Sequence, residues 1–381
     1  MIEADALAAA PPISAVAAWV RDRVWIGRWW LGGRILVWAT AAVVHAVGPA
    51  GRIGPIEHSR VLGVLASWDA RWYRVVAAHG YLLVPGRQSD PAFFPLYPSL
   101  LRVAHALGVG YVTSGVAVAN CAFLVALAAF DCLTRELFGA AFAHRATVYL
   151  AIFPFGYVFS MAYPESVVLA AIVLGALCAL RGRWLLAAAF AGVAALARPE
   201  GVFVALPIAA VAWSARDRLS PVRRGLAAGA TLAPVAACAA YPLYLGRVLH
   251  DPLAWSRAER AWGRHFTPLG LARAIEHVAG AFDGNAWVVR DIVATLLYVA
   301  LLTAAARARV PLAWLVAGAA VIVLPLFSGA FTSVGRFGLL AVPVFWGLAL
   351  IGATHRRDVA IRAVSLVLLV AGTATIPLAF P

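Results

Sequence analysis

The stretch Trp68-Asp69-Ala70-Arg71-Trp72-Tyr73, followed by Gly80-Tyr81 and by Phe93-Phe94-Pro95-Leu96-Tyr97-Pro98, sets one carboxylate among many aromatic rings. On a helix Asp69 shares a face with Trp72 and Tyr73, because side chains three and four residues apart are neighbours. Such a frame suits a sugar: rings cover its C–H face while the carboxylate takes hydrogen bonds from hydroxyls. A partly desolvated carboxylate is also a stronger general base. The plainer reading of the same spacing is an interfacial helix with a Trp and Tyr belt, its acid solvated and paired to Arg71 or Arg74.

Other polar residues stand at the edges of apolar runs. Glu165 follows Pro164 at a helix start, where a carboxylate is favoured by the helix dipole without any further role. Arg198 and Glu200 flank Pro199 and can pair with each other at a turn. Arg336 precedes an apolar segment; it can snorkel to the interface or grip phosphate oxygens with two parallel N–H donors. The run Trp262-Gly263-Arg264-His265 can close over a site or anchor a loop at the membrane surface.

The elements that must position these residues follow from composition. Apolar residues are 63% of the chain and charged residues 13%, against about 45–50% and about 25% in soluble domains. The apolar runs are continuous rather than alternating, which excludes an outer-membrane barrel. The expected fold is all-α and polytopic, with about eleven spans near 30–47, 113–133, 146–162, 165–180, 184–197, 201–213, 225–245, 287–306, 310–327, 337–352 and 360–379. Several fall short of the roughly 20 residues a straight crossing needs. The pair 184–197 and 201–213 forms either two short spans or one broken, re-entrant pair. Segments near 60–79 and 93–108 read as amphipathic helices lying along the interface. One domain covers 1–381, with external loops at about 48–112 and 246–286.

The net charge of +14 comes without a single lysine, and it reads as topology rather than nucleic-acid binding. Arg135, Arg145, Arg181, Arg183, Arg216, Arg218, Arg223, Arg224, Arg307, Arg309, Arg356, Arg357 and Arg362 fall in short loops on one side, which is then cytosolic. That puts the N-terminus inside and Asp69 outside, in a cell membrane. The first 30 residues show no cleavable signal. The four cysteines lie in apolar runs without metal-ligand spacing. Neither a metal nor a cofactor is expected. Nucleotide-binding loops, zinc-protease pairs and the serine-hydrolase elbow are absent, and no carboxylate pair for glycoside hydrolysis adjoins Asp69.

Taken in order, Trp68-Asp69-x-x-Trp72-Tyr73, Gly80-Tyr81 and the Phe-Phe-Pro-Leu-Tyr-Pro run resemble the GPI mannosyltransferase II (PIG-V) family and its bacterial relatives, which are GT-C membrane glycosyltransferases. Tyr163-Pro164-Glu165-Ser166 resembles the family's Pro-Glu-Ser element, and Ala197-Arg198-Pro199-Glu200-Gly201 its Arg-Pro-x-Gly break. Trp262-Gly263-Arg264 is similar to a later Trp-x-Arg, and Arg336-Phe337 to a late Arg-Tyr. Phe337 stands where Tyr is usual, and Glu200 where relatives often carry a small or hydroxyl residue. The resemblance implies transfer of a sugar, mannose first, from a polyprenyl-phosphate donor to an acceptor hydroxyl on a lipid, glycan or protein at the outer face. It implies inversion with Asp69 as general base. Arg264 and Arg336 are then the expected phosphate ligands. Trp68, Trp72, Tyr73, Glu165, Arg198, Trp262 and His265 are the expected sugar or acceptor contacts. A protein O-mannosyltransferase, another lipid-phosphate-sugar transferase, or a lipid or sugar transporter are the alternatives.

Overall fold

The computed structural model describes residues 21–47, 60–280 and 286–378. The expected cytosolic N-terminal segment lies largely outside these, as do the first part of the first expected external loop and a piece of the second. Among the described residues the chain is all-α, with short 3-10 turns and no strand.

In chain order the helices are α1 (Val24–Val47), α2 (Arg60–Leu65), α3 (Asp69–His79), α4 (Leu96–Ala106), α5 (Tyr111–Phe138), α6 (Ala140–Ala151), α7 (Glu165–Leu180), α8 (Trp184–Ala197) and α9 (Ala205–Ala215). After them come α10 (Pro221–Val248), α11 (Ala254–Ala261), α12 (Gly270–Gly280), α13 (Ala286–Arg307), α14 (Leu312–Val323), α15 (Val334–Phe337), α16 (Pro343–Ile351) and α17 (His355–Ala374). By length and apolarity, α1, α5, α10 and residues Val288–Arg307 of α13 can cross a membrane, and the pair α15–α16, bent by 90°, makes up to five. Most of the other expected spans are realised as shorter or broken helices, and 360–379 falls on the 20-residue α17, whose start carries Arg356, Arg357, Asp358 and Arg362, so length and apolarity do not by themselves count eleven crossings. The expected span 146–162 is one such case: α6 ends at Ala151 and the chain continues as a 3-10 turn at Gly156–Ser160.

The packing core runs α5 against α7, α7 against α8, and α8 against α10. Small residues make this possible. Gly175 of α7 meets the α8 backbone at Ala187 and Ala191, and Ala187, Ala191, Ala194 and Ala195 of α8 are fully buried. Without a hydrophobic gradient between helices in lipid, close backbone approach of this kind supplies the dispersion contacts.

The two ends of the core differ. Helix α7 carries Glu165 at its start and Arg181 just past its end, about 24 Å apart at 1.5 Å per residue. At the Arg181 end the pairs reach the surface through their arginines: Arg181 on Glu136, Arg362 on Asp358, and Arg23 and Arg135 on a buried Asp131. At the Glu165 end the charges are buried.

The break between α8 and α9 is a 3-10 turn, Pro199–Val204. Pro199 cannot continue α8. Gly201 then lies against the α8 backbone, where an added Cβ would sit 2.3 Å from the carbonyl carbon of Ala194. Only glycine lets the chain fold back this tightly, and that fold aims Arg198 and Glu200 inward.

Candidate active site

Asp69 is the first residue of α3, and the chain enters the helix through a strained residue. Trp68 has φ 58° and ψ −119°, a conformation that favours glycine and costs a non-glycine residue about 1–3 kcal/mol. Two anchors hold the turn. The Trp68 indole Nε1 donates to the Ile376 carbonyl at 2.6 Å. The Asp69 backbone N–H donates to the Tyr163 hydroxyl at 3.1 Å.

The Asp69 carboxylate does not pair with Arg71 or Arg74. Its Oδ2 accepts from Arg336 Nη1 at 2.6 Å. Arg336 Nε lies 3.2 Å from Glu165 Oε1, which also accepts from Arg198 Nη1 at 2.7 Å. Arg198 in turn donates to both oxygens of Glu200, Nε at 3.0 Å and Nη2 at 2.9 Å. The result is an alternating chain, Asp69–Arg336–Glu165–Arg198–Glu200, from four different stretches of sequence folded to one place. Glu165 is wholly buried, while the Asp69 side chain keeps 13% exposure. Buried charges of this kind persist only when each has an opposite partner, and removing one partner strands the next at a cost of about 3–5 kcal/mol.

Phe337 sits at the centre of the cations. The guanidinium carbons of Arg198, Arg264 and Arg336 lie 4.7, 5.0 and 5.1 Å from its ring centroid. Arg336 also lies 5.1 Å from the ring of Tyr163. These contacts use the ring quadrupole and need no hydroxyl, so phenylalanine serves where tyrosine was the expectation.

Asp291 on α13 supports this arrangement from behind. Its Oδ2 accepts from Ser333 N at 2.7 Å and its Oδ1 from Gly335 N at 3.4 Å. Gly335 fits against the ring of Phe155 where a Cβ would collide, and Tyr298 donates its hydroxyl proton to the Gly335 carbonyl at 2.5 Å. The backbone that carries Arg336 is thereby fixed on three sides. Sequence reasoning passed over Asp291, although an acid inside an apolar span is itself a functional signal. Tyr163 was read only as part of a motif.

An aromatic wall adjoins the charges. Tyr73 is buried against Phe93, Tyr97 and Tyr163 at centroid distances of 5.0, 5.2 and 6.5 Å. Trp72 stacks on Phe93 at 5.9 Å and meets the edge of Trp262 at 5.3 Å. Trp262 donates Nε1 to the Ser89 carbonyl at 3.1 Å, which ties the second of the two long loops to the first. Asp90 closes that loop by accepting from Leu82 N at 2.7 Å.

Helix α11 ends in a Schellman turn. Arg264 N donates back to the Glu259 carbonyl at 3.0 Å and Gly263 N to the Arg260 carbonyl at 2.9 Å, with Gly263 left-handed at φ 80°. This geometry sets the Arg264 side chain beside Glu259, Nε to Oε2 at 3.8 Å, and over Phe337. Glu259 was missed in the sequence because an acid on a short polar helix looks ordinary.

Of the expected site residues, Asp69, Glu165, Arg198, Arg264 and Arg336 come together, with Trp72, Tyr73 and Trp262 beside them. Trp68 acts through the backbone turn. His265 does not join: it is exposed, and its backbone N–H donates to the Ser328 carbonyl at 3.1 Å. No group of three or more His, Cys, Asp or Glu residues suited to a metal ion occurs among the described residues.

No family model matches the chain, and no curated protein matches it. Solved structures do. The oligosaccharyltransferase of Archaeoglobus fulgidus in its apo form aligns over 91% of this chain and 56% of its own, at 14% identity and TM-score 0.49. Its complex with Zn and sulfate aligns over 89% and 53%, at 14% identity and TM-score 0.47. An inhibitory-peptide and dolichol-phosphate complex of the archaeal oligosaccharyltransferase from the same organism aligns over 92% and 55%, at 14% identity and TM-score 0.44. The chain spans about half the length of the structures it matches.

Proposed function

We propose that the chain is a GT-C-type membrane glycosyltransferase. In this reading it moves a sugar, mannose first, from a polyprenyl-phosphate donor to an acceptor hydroxyl at the extracytoplasmic face, with inversion. The observation that carries the reading is the asymmetry of Asp69. One carboxylate oxygen is held by Arg336, and the other accepts no hydrogen bond from the described residues while the side chain keeps partial exposure. A carboxylate oriented on one side and open on the other is the arrangement a general base needs.

The reaction follows from that geometry. The free oxygen of Asp69 takes the proton of the acceptor hydroxyl. The acceptor oxygen bonds to the anomeric carbon, and the bond from that carbon to the phosphate oxygen breaks. The electron pair leaves with the polyprenyl phosphate, which is a good leaving group without an acid to protonate it. Attack opposite the departing phosphate inverts the centre.

Two roles sharpen on the distances. Arg336 is occupied at both ends, by Asp69 and by Glu165, and serves to orient the base. Arg264 has only a loose partner and 23% side-chain exposure, so it is the better phosphate ligand. Donated N–H groups there stabilise the charge that develops on the leaving oxygen. Trp72 and Trp262 offer ring faces to a sugar, and Glu165 and Arg198 form the charged wall behind. The arginines clustered at the opposite end of the core support an inside orientation for that end.

The test compares wild-type protein with Asp69→Asn, using labelled polyprenyl-phosphate mannose and membrane acceptors. The expected result is a drop of about 10²–10⁴ in transfer with the fold intact. Near-normal turnover by the folded variant removes Asp69 from the mechanism. Transfer from a glucose or arabinose donor instead of mannose changes the sugar and keeps the chemistry.

A further inference from the structure

The charges joined by contacts in the site do not balance. Asp69, Glu165, Glu200 and Glu259 face Arg198, Arg264 and Arg336, which leaves one negative charge in excess when all are ionised. A donor phosphate adds another. In a largely buried cluster an uncompensated like charge is expensive, so an anion that binds here must be accompanied by a cation or displace an anion.

Glu259 is the group placed to give way. Every other carboxylate in the set is gripped at hydrogen-bond distance: Asp69 at 2.6 Å, Glu165 at 2.7 Å, Glu200 at 2.9 and 3.0 Å. Glu259 has a single guanidinium contact at 3.8 Å, beyond hydrogen-bond reach. Its partner, Arg264, is the cation least engaged by other acids. The Schellman turn fixes the backbone of both residues, so the pair can open by side-chain rotation alone. The charged groups that act on Glu259 are Arg264 and Arg198, which favour its ionised form, and Glu200 and Asp69, which oppose it; burial is the largest influence and pushes its carboxyl above the usual range.

We propose that the phosphate of the donor takes the place of Glu259 at Arg264, and that Glu259 leaves the pair carrying one proton taken from solvent. The phosphate oxygen accepts the guanidinium N–H, and the excess charge of the site stays at one. This rests on the phosphate-ligand reading of Arg264 given above.

The experiment uses the full-length protein in nanodiscs and a farnesyl methyl phosphate diester, whose single charge does not titrate near neutrality. Binding heats are measured at pH 7 in buffers of different ionisation enthalpy, which yields the number of protons taken up. Wild type is expected to take up close to one proton, and its affinity to fall by up to about tenfold per pH unit above neutrality. Glu259→Gln, which keeps the shape, is expected to take up none and to bind equally well at pH 7 and pH 8. Unchanged proton uptake in Glu259→Gln overturns the proposal. Binding by wild type without proton uptake also overturns it, while leaving Arg264 as a phosphate ligand. Absence of diester binding by wild type overturns the phosphate reading itself, and this proposal with it.

Discussion

Arg336 Nη1 lies 2.6 Å from Asp69 Oδ2 across 267 residues of sequence, and the same guanidinium reaches Glu165 with its Nε at 3.2 Å. A planar fork can serve two carboxylates at once, and an ammonium cannot do so with the same geometry. Arg336→Gln therefore leaves Asp69 without its cation in a largely buried site and leaves Glu165 to Arg198 alone. The expected cost is about 3–5 kcal/mol of stability, read as a fall in the unfolding midpoint in detergent. Arg336→Lys keeps the charge and is expected to recover stability in part, with transfer activity still well below wild type. Full recovery of activity by lysine would show that Arg336 supplies only charge and does not orient Asp69.

The Arg-Pro-Glu-Gly break offers a purely steric prediction. A Cβ at Gly201 would meet the backbone carbonyl of Ala194 at 2.3 Å, and backbone cannot step aside as a side chain can. Gly201→Ala must push the 199–204 turn off α8 and with it the Arg198–Glu200 pair. The expected loss is at least about 1–3 kcal/mol, with activity falling more than Arg198 exposure alone would cause. Unaltered stability would mean the turn has slack that the packing denies.

Asp291 predicts a separable effect. It touches no charged member of the Asp69 cluster but holds Ser333 N and Gly335 N. Asp291→Asn keeps one acceptor and leaves the other N–H facing an amide nitrogen. The expected cost is about 1–3 kcal/mol, together with reduced transfer because Arg336 loses its fixed backbone. Asp291→Leu is expected to be worse on both measures. A variant that is destabilised yet transfers at the wild-type rate would confine Asp291 to the fold.

What the sequence disclosed divides along physical lines. Class was legible because apolar content is a property of the whole chain, and α1, α5 and α10 fall where long apolar runs predict helices. Breaks were legible where Pro and Gly mark them, as at Pro199 and Gly201. The cluster was legible only as separate polar residues at span edges: Arg198 with Glu200 from spacing, Asp69 from its aromatic neighbours. That Asp69 meets Arg336 rather than Arg71 is long-range, and no local pattern encodes it. Asp291 and Glu259 were missed for opposite reasons, one hidden in an apolar run and the other on a short polar helix. His265 was included because it follows Arg264, but the chain turns at Gly263 and leaves it exposed.

Trp262 bridges the two long loops, and its ring and its hydrogen bond can be separated. Trp262→Phe keeps a ring against Trp72 and Phe93 but loses the hydrogen bond to the Ser89 carbonyl, worth about 1 kcal/mol. A several-fold rise in KM for donor or acceptor with kcat little changed is expected, as for a residue that binds ground and transition states alike. Trp262→Ala removes the ring too and is expected to raise KM further. A fall in kcat at constant KM would instead assign Trp262 to the chemical step.

Asp90 gives the site's first loop a pH dependence. Burial pushes its carboxyl from 3.8 up to about 6, against the opposing hydrogen bond from Leu82 N. The folded chain holds this proton more tightly than the unfolded chain does. Its contribution to stability is therefore complete below about 3.8 and is lost as pH rises through about 6. At pH 7.5 the ionised, buried carboxylate opposes folding by an amount on the order of 1–3 kcal/mol. Asp90→Asn keeps an oxygen to accept from Leu82 N and never ionises. Its unfolding midpoint is expected to match wild type near pH 4 and to exceed it by a few degrees at pH 7.5. A variant less stable than wild type at pH 7.5 would mean that the charge on Asp90 strengthens the loop by more than its burial costs.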